Sequence, residues 1–260
     1  MRKLIFVFIA LAVTLPSLAQ KSKKEKRDEN RRRINALIRQ EEEGVIVYRK
    51  HTIFGGKLTS DGYGVFMEIG RAKTVKKSTL FQFELSERKD PHEEKGSNVI
   101  GQNLTNPFIY AKQNFLYPVK LGIQQQVLLG NKSNKNGVSI TANYGGGISL
   151  GLVRPYYVQL NTSEKQYIKY ETDSAQFLRI NDIVGGPGFS KGWSDIKVTP
   201  GAYAKTALRF DYGSYNEMVS AIEVGLSGEF YSKKIPLMVG RPAKQFFFTG
   251  YVAIMFGRRK

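Results

Sequence analysis

The sequence predicts an all-β fold: an antiparallel, up-and-down transmembrane β-barrel of about eight strands, preceded by a short charged arm that is helical or disordered. Three observations lead there. An export signal opens the chain, apolar and polar residues then alternate with a period of two over lengths that cross a bilayer, and the connections between those runs fall into a short class and a long class.

Composition agrees with that class and narrows the chemistry. The 260 residues are 41% hydrophobic, enough for one large folded domain or two small ones. The aromatic share is 14 Tyr and 16 Phe against 1 Trp, which leans toward strands, because such rings fit a pleated, half-buried surface. Cysteine is absent, so a disulfide framework, a thiolate metal site and a lipidated N-terminal Cys are all excluded. A formal charge of +18 would in a cytosolic protein point to nucleic acid. Export removes that partner, and no nucleic acid is expected.

The first element is the signal. Arg2 and Lys3 precede an apolar run from Leu4 to Leu15, and Ser17-Leu18-Ala19 places small residues where a signal peptidase reads, so residues 1–19 are read as a cleaved secretory signal. The run is about 12 residues where a spanning helix needs about 20. Residues 20–43 follow as a charged arm in which Arg31, Arg32 and Arg33 precede Ile34, Leu37 and Ile38 at helical spacing. That apolar stripe is too narrow to be buried alone, which marks the arm as a candidate contact for a periplasmic or outer-membrane protein partner.

From residue 44 to residue 260 the period is two. Val45 to Leu58 is rich in β-branched and aromatic residues but ambiguous in register, and Thr59 to Gly62 turns the chain. Tyr63, Val65, Met67 and Ile69 then oppose Gly64, Glu68 and Gly70, with Phe66 as an exception on the polar side. Phe81, Phe83 and Leu85 oppose Gln82 and Glu84, and Phe115, Tyr117, Val119, Leu121 and Ile123 oppose Pro118, Lys120, Gly122, Gln124 and Gln126. The longest alternation, Val138 to Leu152, outruns the five or six residues usual in a soluble sandwich, at about fifteen. Ala202 to Tyr212 and Ile222 to Phe230 repeat the pattern with Lys205, Arg209, Asp211, Glu223 and Glu229 on the minority face. Phe246 to Phe256 is apolar on both faces, and Gly257-Arg258-Arg259-Lys260 reads as a short overhang after a terminal Phe256.

The turns near 73–77, 130–137 and 213–217 are short, whereas the connections near 88–113, 153–197 and 232–244 are long, with Thr59 to Gly62 as the one short external connection. With both chain ends in the periplasm, that parity belongs to an even-stranded barrel with long external loops. Residues Asp173 to Val184 are expected to form a short capped helix in the longest of these. Lipid cannot hydrogen-bond open backbone groups, so the sheet closes and its apolar face turns outward. An eight-stranded interior is filled by side chains, and Glu68, Glu84, Lys120, Lys205, Arg209, Asp211, Glu223 and Glu229 are expected to fill it as an ion-pair network. Tyr110, Tyr117, Tyr156, Tyr157, Tyr203, Tyr212 and Tyr231 lie near strand ends and are expected in the headgroup belts.

The search for chemistry returns little. His51 and His92 are the two histidines, and neither Pro91-His92-Glu93-Glu94 nor His51-Thr52 has the spacing of a zinc hydrolase or of an activated serine. No G-x-S-x-G elbow occurs. Gly145-Gly146-Gly147 and Gly185-Gly186-Pro187-Gly188 match no phosphate-binding pattern. No catalytic residue, metal or cofactor is expected. Basic external residues, Lys165, Lys169, Lys191, Lys233, Lys234, Arg241 and Lys244, face an outer leaflet of phosphorylated glycolipid, which is the expected lipid partner.

Four segments carry a family resemblance: Ser17-Leu18-Ala19-Gln20, Arg154-Pro155-Tyr156-Tyr157, Gly188-Phe189-Ser190-Lys191-Gly192 and Pro200-Gly201-Ala202-Tyr203-Ala204-Lys205. In these the chain resembles the small outer-membrane β-barrel proteins of the Bacteroidetes, whose architecture is that of the OmpA and OmpX barrels. The resemblance implies a Gram-negative outer membrane and a non-enzymatic barrel that is structural or an accessory subunit of a secretion or barrel-assembly complex. Two other activities stay open: a lipid-modifying enzyme using His51 or His92 as base, and a small porin or transporter.

Overall fold

The computed structural model describes residue 28 and residues 50–259, apart from 75, 98, 101–102, 105, 133–136, 162–165, 187 and 214–216. The signal segment and the arm residues Arg31, Arg32, Arg33, Ile34, Leu37 and Ile38 lie outside the described residues. Of the two compact units into which the chain divides, Met1–Val45 and Ile46–Lys260, the second holds every strand below.

Eight long strands form one closed antiparallel barrel: β1 (Lys50–Thr59), β2 (Gly62–Ala72), β3 (Lys77–Arg88), β4 (Asn114–Gly130), β5 (Ser139–Pro155), β6 (Lys197–Asp211), β7 (Met218–Ile235) and β8 (Lys244–Arg259). Each pairs with its neighbours in sequence, and β1 closes on β8 from His51↔Arg259 to Thr59↔Tyr251. Closure satisfies every edge, which is the condition for strands in lipid.

Alternation decides the two faces. Phe54, Leu58, Val65, Ile69, Phe81, Phe83, Leu121, Ile123, Ile148, Leu208, Val224, Leu226, Val252, Ile254 and Phe256 all stand exposed on the outside. A contiguous apolar wall of this extent does not persist in water. It is the stable surface in a bilayer, so the fold is a transmembrane barrel. Strands β4 to β8 run 15 to 18 residues, beyond the roughly 9–11 that cross the hydrocarbon, and the surplus builds a wall beyond the apolar band.

The inward face is mixed and explains the irregular stretches of sequence. Phe66 keeps the period of β2 and points inward with Glu68, into an apolar layer formed with Ile53, Ala207, Val219, Ala221, Tyr251, Ala253 and Met255. Its ring covers its cross-strand partner Gly55, where an added Cβ would meet Phe66 Cζ at 2.5 Å. A second layer, Leu116, Val153, Tyr231, Ile235, Leu237 and Phe247, lies toward the long-connection end. β8 is therefore apolar on both faces because it supplies both layers as well as the lipid side. The triple glycine serves close packing within the sheet: an added Cβ at Gly147 would lie 2.0 Å from the Leu121 carbonyl oxygen.

Three expectations are corrected. Tyr203 and Tyr231 are 6% and 0% exposed and face the lumen, because they share the parity of Lys205 and Glu229; Tyr156, 2% exposed, is buried in the core of the long connections. None of the three belongs to a headgroup belt. The expected helix is a single turn, α1 (Ser174–Phe177), capped by Asp173 accepting from the Gln176 N–H at 2.9 Å; after it the chain makes a 3₁₀ turn at Ile180–Asp182 and a strand at Ile183–Gly185. Phe177 is pulled into the loop core, and that packing ends the helix. The tail is no overhang either: Gly257, Arg258 and Arg259 stay in β8, paired with Ile53, Thr52 and His51.

The long connections fold as well. Tyr157–Leu160 pairs with Tyr167–Lys169 on one side and Ile183–Gly185 on the other. Under it Phe108, Ile109, Tyr156, Val158, Leu160, Ile168, Phe177 and Ile183 form a separate apolar core, and the Ile109 N–H donates to the Tyr156 hydroxyl at 2.8 Å.

Candidate functional site

The chemistry of the molecule is concentrated in the lumen. Glu68, Glu84, Lys120, Lys205, Arg209, Asp211, Glu223 and Glu229 are all buried there, none more than 5% exposed. The strand positions that alternate with lipid-facing residues put them inside, and ion pairing keeps them there, since an isolated buried charge would be strongly unfavourable.

Two systems of pairs cross the barrel. Arg209 on β6 donates from Nη1 and Nη2 to both carboxylate oxygens of Glu68 on β2 at 2.8 Å each, and from Nε and Nη2 to Glu223 on β7 at 2.9 and 2.7 Å. Strands β2 and β6 stand opposite each other in the ring, so this fork spans the full lumen. Glu223 also accepts from the Tyr251 hydroxyl and Asn143 Nδ2, at 2.8 Å each, and pairs with Lys205 at 3.3 Å. His51 Nε2 lies 3.3 Å from Glu68.

The second system runs from Lys57 to Glu84 at 2.7 Å, Glu84 to Lys120 at 2.9 Å, Lys120 to Glu229 at 2.5 Å and Glu229 to Arg88 at 2.6 Å, and ends where Arg88 meets Asp61 at 3.2 Å. Arg88 on β3 and Glu229 on β7 are again on opposite walls. Tyr231 donates to Glu229 at 2.8 Å, and the ring of Tyr251 lies 4.4 Å beneath Lys57. Asp211 is separate, near the short-turn end, where it meets Lys132 at 3.5 Å and is bonded by Arg259.

A cavity of about 250 Å³ opens from the short-turn end and is lined by His51, Ser78, Gln126, Thr141, Arg209 and Asp211 among others. It is bounded by the Arg209 cross-link, so it is a vestibule and does not pass through the barrel. At the other end, two further pairs lie in the first long connection, between Arg88 and Asn114. Lys112, whose burial pulls its pKa down, meets Glu93 at 2.6 Å. Asp90 accepts from the His92 N–H and its ring Nδ1 at 3.1 Å each. Burial raises the Asp90 pKa, but these bonds outweigh it and the net shift is down.

Several members of the lumen network were not on the sequence-based roster. Lys57 lies in the stretch of ambiguous register, Arg88 just past the expected end of β3, Lys132 in a turn and Arg259 in the supposed overhang. Tyr251 and Tyr231 carry the inward parity of their strands, and that was the available signal. Of the two histidines, His51 is in β1 facing the lumen at the short-turn end, and His92 lies in a long connection with its side chain 56% exposed. Among the described residues, His92 hydrogen-bonds Asp90 and no hydroxyl, and no group of three or more His, Cys, Asp or Glu side chains is placed to hold a metal ion.

Neither a protein-family model nor a curated protein matches the chain. Among solved structures it is similar to the N-terminal β-barrel domain of Pseudomonas aeruginosa OprF, with a TM-score of 0.35 and 9% identity over 81% of this chain and 98% of that one. It is also similar to Ail, the attachment invasion locus protein of Yersinia pestis, solved in complex with the heparin analogue sucrose octasulfate (0.37, 8%, 82% and 100%). A third is Neisserial surface protein A (0.37, 8%, 81% and 96%). At this level of likeness nothing passes from them to individual residues of this chain.

Proposed function

We propose that the chain is a non-catalytic outer-membrane β-barrel whose filled lumen makes it a structural or accessory subunit of an envelope complex for secretion or barrel assembly. The observation that carries this reading is the pair of cross-lumen links, Arg209 to Glu68 and Arg88 to Glu229, each joining strands on opposite walls. A barrel that needs an open path for solute does not tie its walls together at two levels. An enzyme acting on the outer leaflet needs an activated group at the long-loop face, whereas His51 faces the vestibule at the other end and, among the described residues, the His92 ring hydrogen-bonds Asp90 and no hydroxyl. The long connections belong to the outside by their length and the short turns to the periplasm. Function then resides in the outer loops and in the charged arm, residues 20–43, whose sparse apolar stripe at Ile34, Leu37 and Ile38 would be buried against a periplasmic protein.

A tagged full-length chain and one lacking residues 21–43 are to be extracted in mild detergent from fractionated membranes. Both are expected in the outer-membrane fraction, with one or more co-purifying envelope proteins lost on deletion. An unchanged set of companions overturns the role of the arm, and a chain that fractionates with soluble or inner-membrane material overturns the location.

A further inference from the structure

The hairpin of β7 and β8 breaks its own ladder. Phe230 pairs with Phe246, but the next registered pair is Ile235↔Lys244, so four residues of β7 stand opposite the single Gln245 of β8. Such a bulge re-aims side chains. Here Tyr231 and Ile235, 0% and 1% exposed, pin both ends of the bulge into the inner apolar layer, and the three residues between them, Ser232, Lys233 and Lys234, are all exposed. The far limb of the hairpin adds exposed Arg241 and Lys244.

This segment is held firmly. Leu237 packs in the same layer, its carbonyl accepts from the Gln113 N–H at 2.8 Å, Asn114 Nδ2 donates to the Pro236 carbonyl at 2.8 Å, and the Val239 N–H donates to the Ala111 carbonyl at 2.8 Å.

Charge balance separates it from the neighbouring connection. There Lys169 is paired with Asp195 and Lys197 with Glu171. Between Phe230 and Phe246 no Asp or Glu occurs, and among the described residues none of Lys233, Lys234 and Arg241 makes an ion pair, while Lys244 makes no direct bridge but acts through space on the Asp90 carboxylate of the first long connection. On the same two strands the residues adjoining the cluster are Phe230, Phe246 and Phe248, each more than half exposed on the lipid side. The step from those rings to this cluster of cations marks the level where hydrocarbon gives way to headgroups.

We propose that the Ser232–Lys234 bulge, with Arg241 and Lys244, is a binding site for the phosphate groups of an anionic outer-leaflet lipid, the acyl chains lying along Phe230, Phe246 and Phe248. The proposal rests on the outer-membrane reading and names the lipid chemistry it meets. Cations pinned at headgroup depth, with the Asp90 carboxylate acting on Lys244 and none bridged to the others, take up phosphate charge there with little loss of side-chain freedom.

The test is native mass spectrometry of the detergent-solubilised full chain titrated with a diphosphorylated glucosamine-disaccharide lipid, its dephosphorylated form, or inorganic phosphate. The wild type is expected to retain the phosphorylated lipid at least about tenfold more than the dephosphorylated one, and the Lys233→Ala, Lys234→Ala, Arg241→Ala, Lys244→Ala variant to lose about that factor. Replacing the three lysines by Arg is expected to keep most of it. Equal retention of both lipids, unchanged binding by the Ala variant, or displacement by inorganic phosphate as readily as by lipid overturns the proposal. Heat-dependent gel mobility verifies that each variant is a folded barrel; if the Ala variant is not, the comparison of the two lipids on the wild type decides. Loss of lipid preference in a protein that still fractionates with outer membranes refutes this site alone, whereas failure to fractionate there refutes the location beneath it.

Discussion

Replacing Arg209 by Met removes the guanidinium fork and leaves its two carboxylates in unequal positions. Glu223 keeps Lys205 at 3.3 Å, with the Tyr251 hydroxyl and Asn143 at 2.8 Å. Glu68, 0% exposed, keeps the His51 contact at 3.3 Å in place of two bonds at 2.8 Å to Arg209. Glu68 is therefore the stranded charge. Breaking a buried pair by removing one partner costs about 3–5 kcal/mol, most of it the uncompensated carboxylate. Restoring neutrality with Glu68→Gln in the same chain is expected to recover more than half of that loss, so the double-mutant cycle should give a coupling of about 2 kcal/mol or more. The assay is equilibrium unfolding in urea from lipid vesicles, followed by heat-dependent gel mobility and by the fluorescence of Trp193, the single tryptophan. If Arg209→Met costs less than about 1 kcal/mol, the value of an exposed pair, or if Glu68→Gln does not rescue it, the cross-lumen link is not what holds these walls.

Two further outcomes follow from the outer wall and the loops. Ile148 is 55% exposed and sits in a lipid-facing row with Leu121 and Phe83; Ile148→Lys should cost about 2–4 kcal/mol if that row lies near the bilayer centre, measured as reduced insertion yield and lower urea midpoint. Asp90 holds the turn at His92 with a pKa below its ordinary value, so its contribution is complete above the unfolded carboxylate value near about 3.9 and is lost as pH falls through the lower folded value. Protease nicking of residues 89–95 should rise below pH ~4 in the wild type, and in Asp90→Ala it should already be raised at neutral pH.

The strands were the legible part of this sequence, for a physical reason. Lipid outside and paired charge inside impose a strict period of two, so Val138 to Leu152 and Ile222 to Phe230 could be divided between faces by inspection. Where the lumen is itself apolar, the same logic gives no contrast: Phe66 looked like an exception because it joins the inner layer of Met255, and β8 read as apolar on both faces because it supplies that layer and the one at Phe247. The partners within the lumen were not legible at all. Arg209 meets Glu68 across a separation of 141 residues, and barrel closure and strand stagger, which single-strand patterns do not carry, bring them together. Tyrosines misled because strand-end position says nothing of side: Tyr203 and Tyr231 had inward parity, and parity was the stronger signal. The basic hairpin was visible as composition, but the bulge that fixes it depends on register and had no signature in the residues.

The central claim, a membrane-spanning barrel whose lumen is closed by its own ion pairs, is tested most directly by planar-bilayer recording of the reconstituted full-length chain. No sustained ohmic conductance is expected from the wild type, with brief openings appearing when Arg88 and Arg209 are both replaced by Ala. Steady open-channel current from the wild type, of a size typical of a porin, would contradict it.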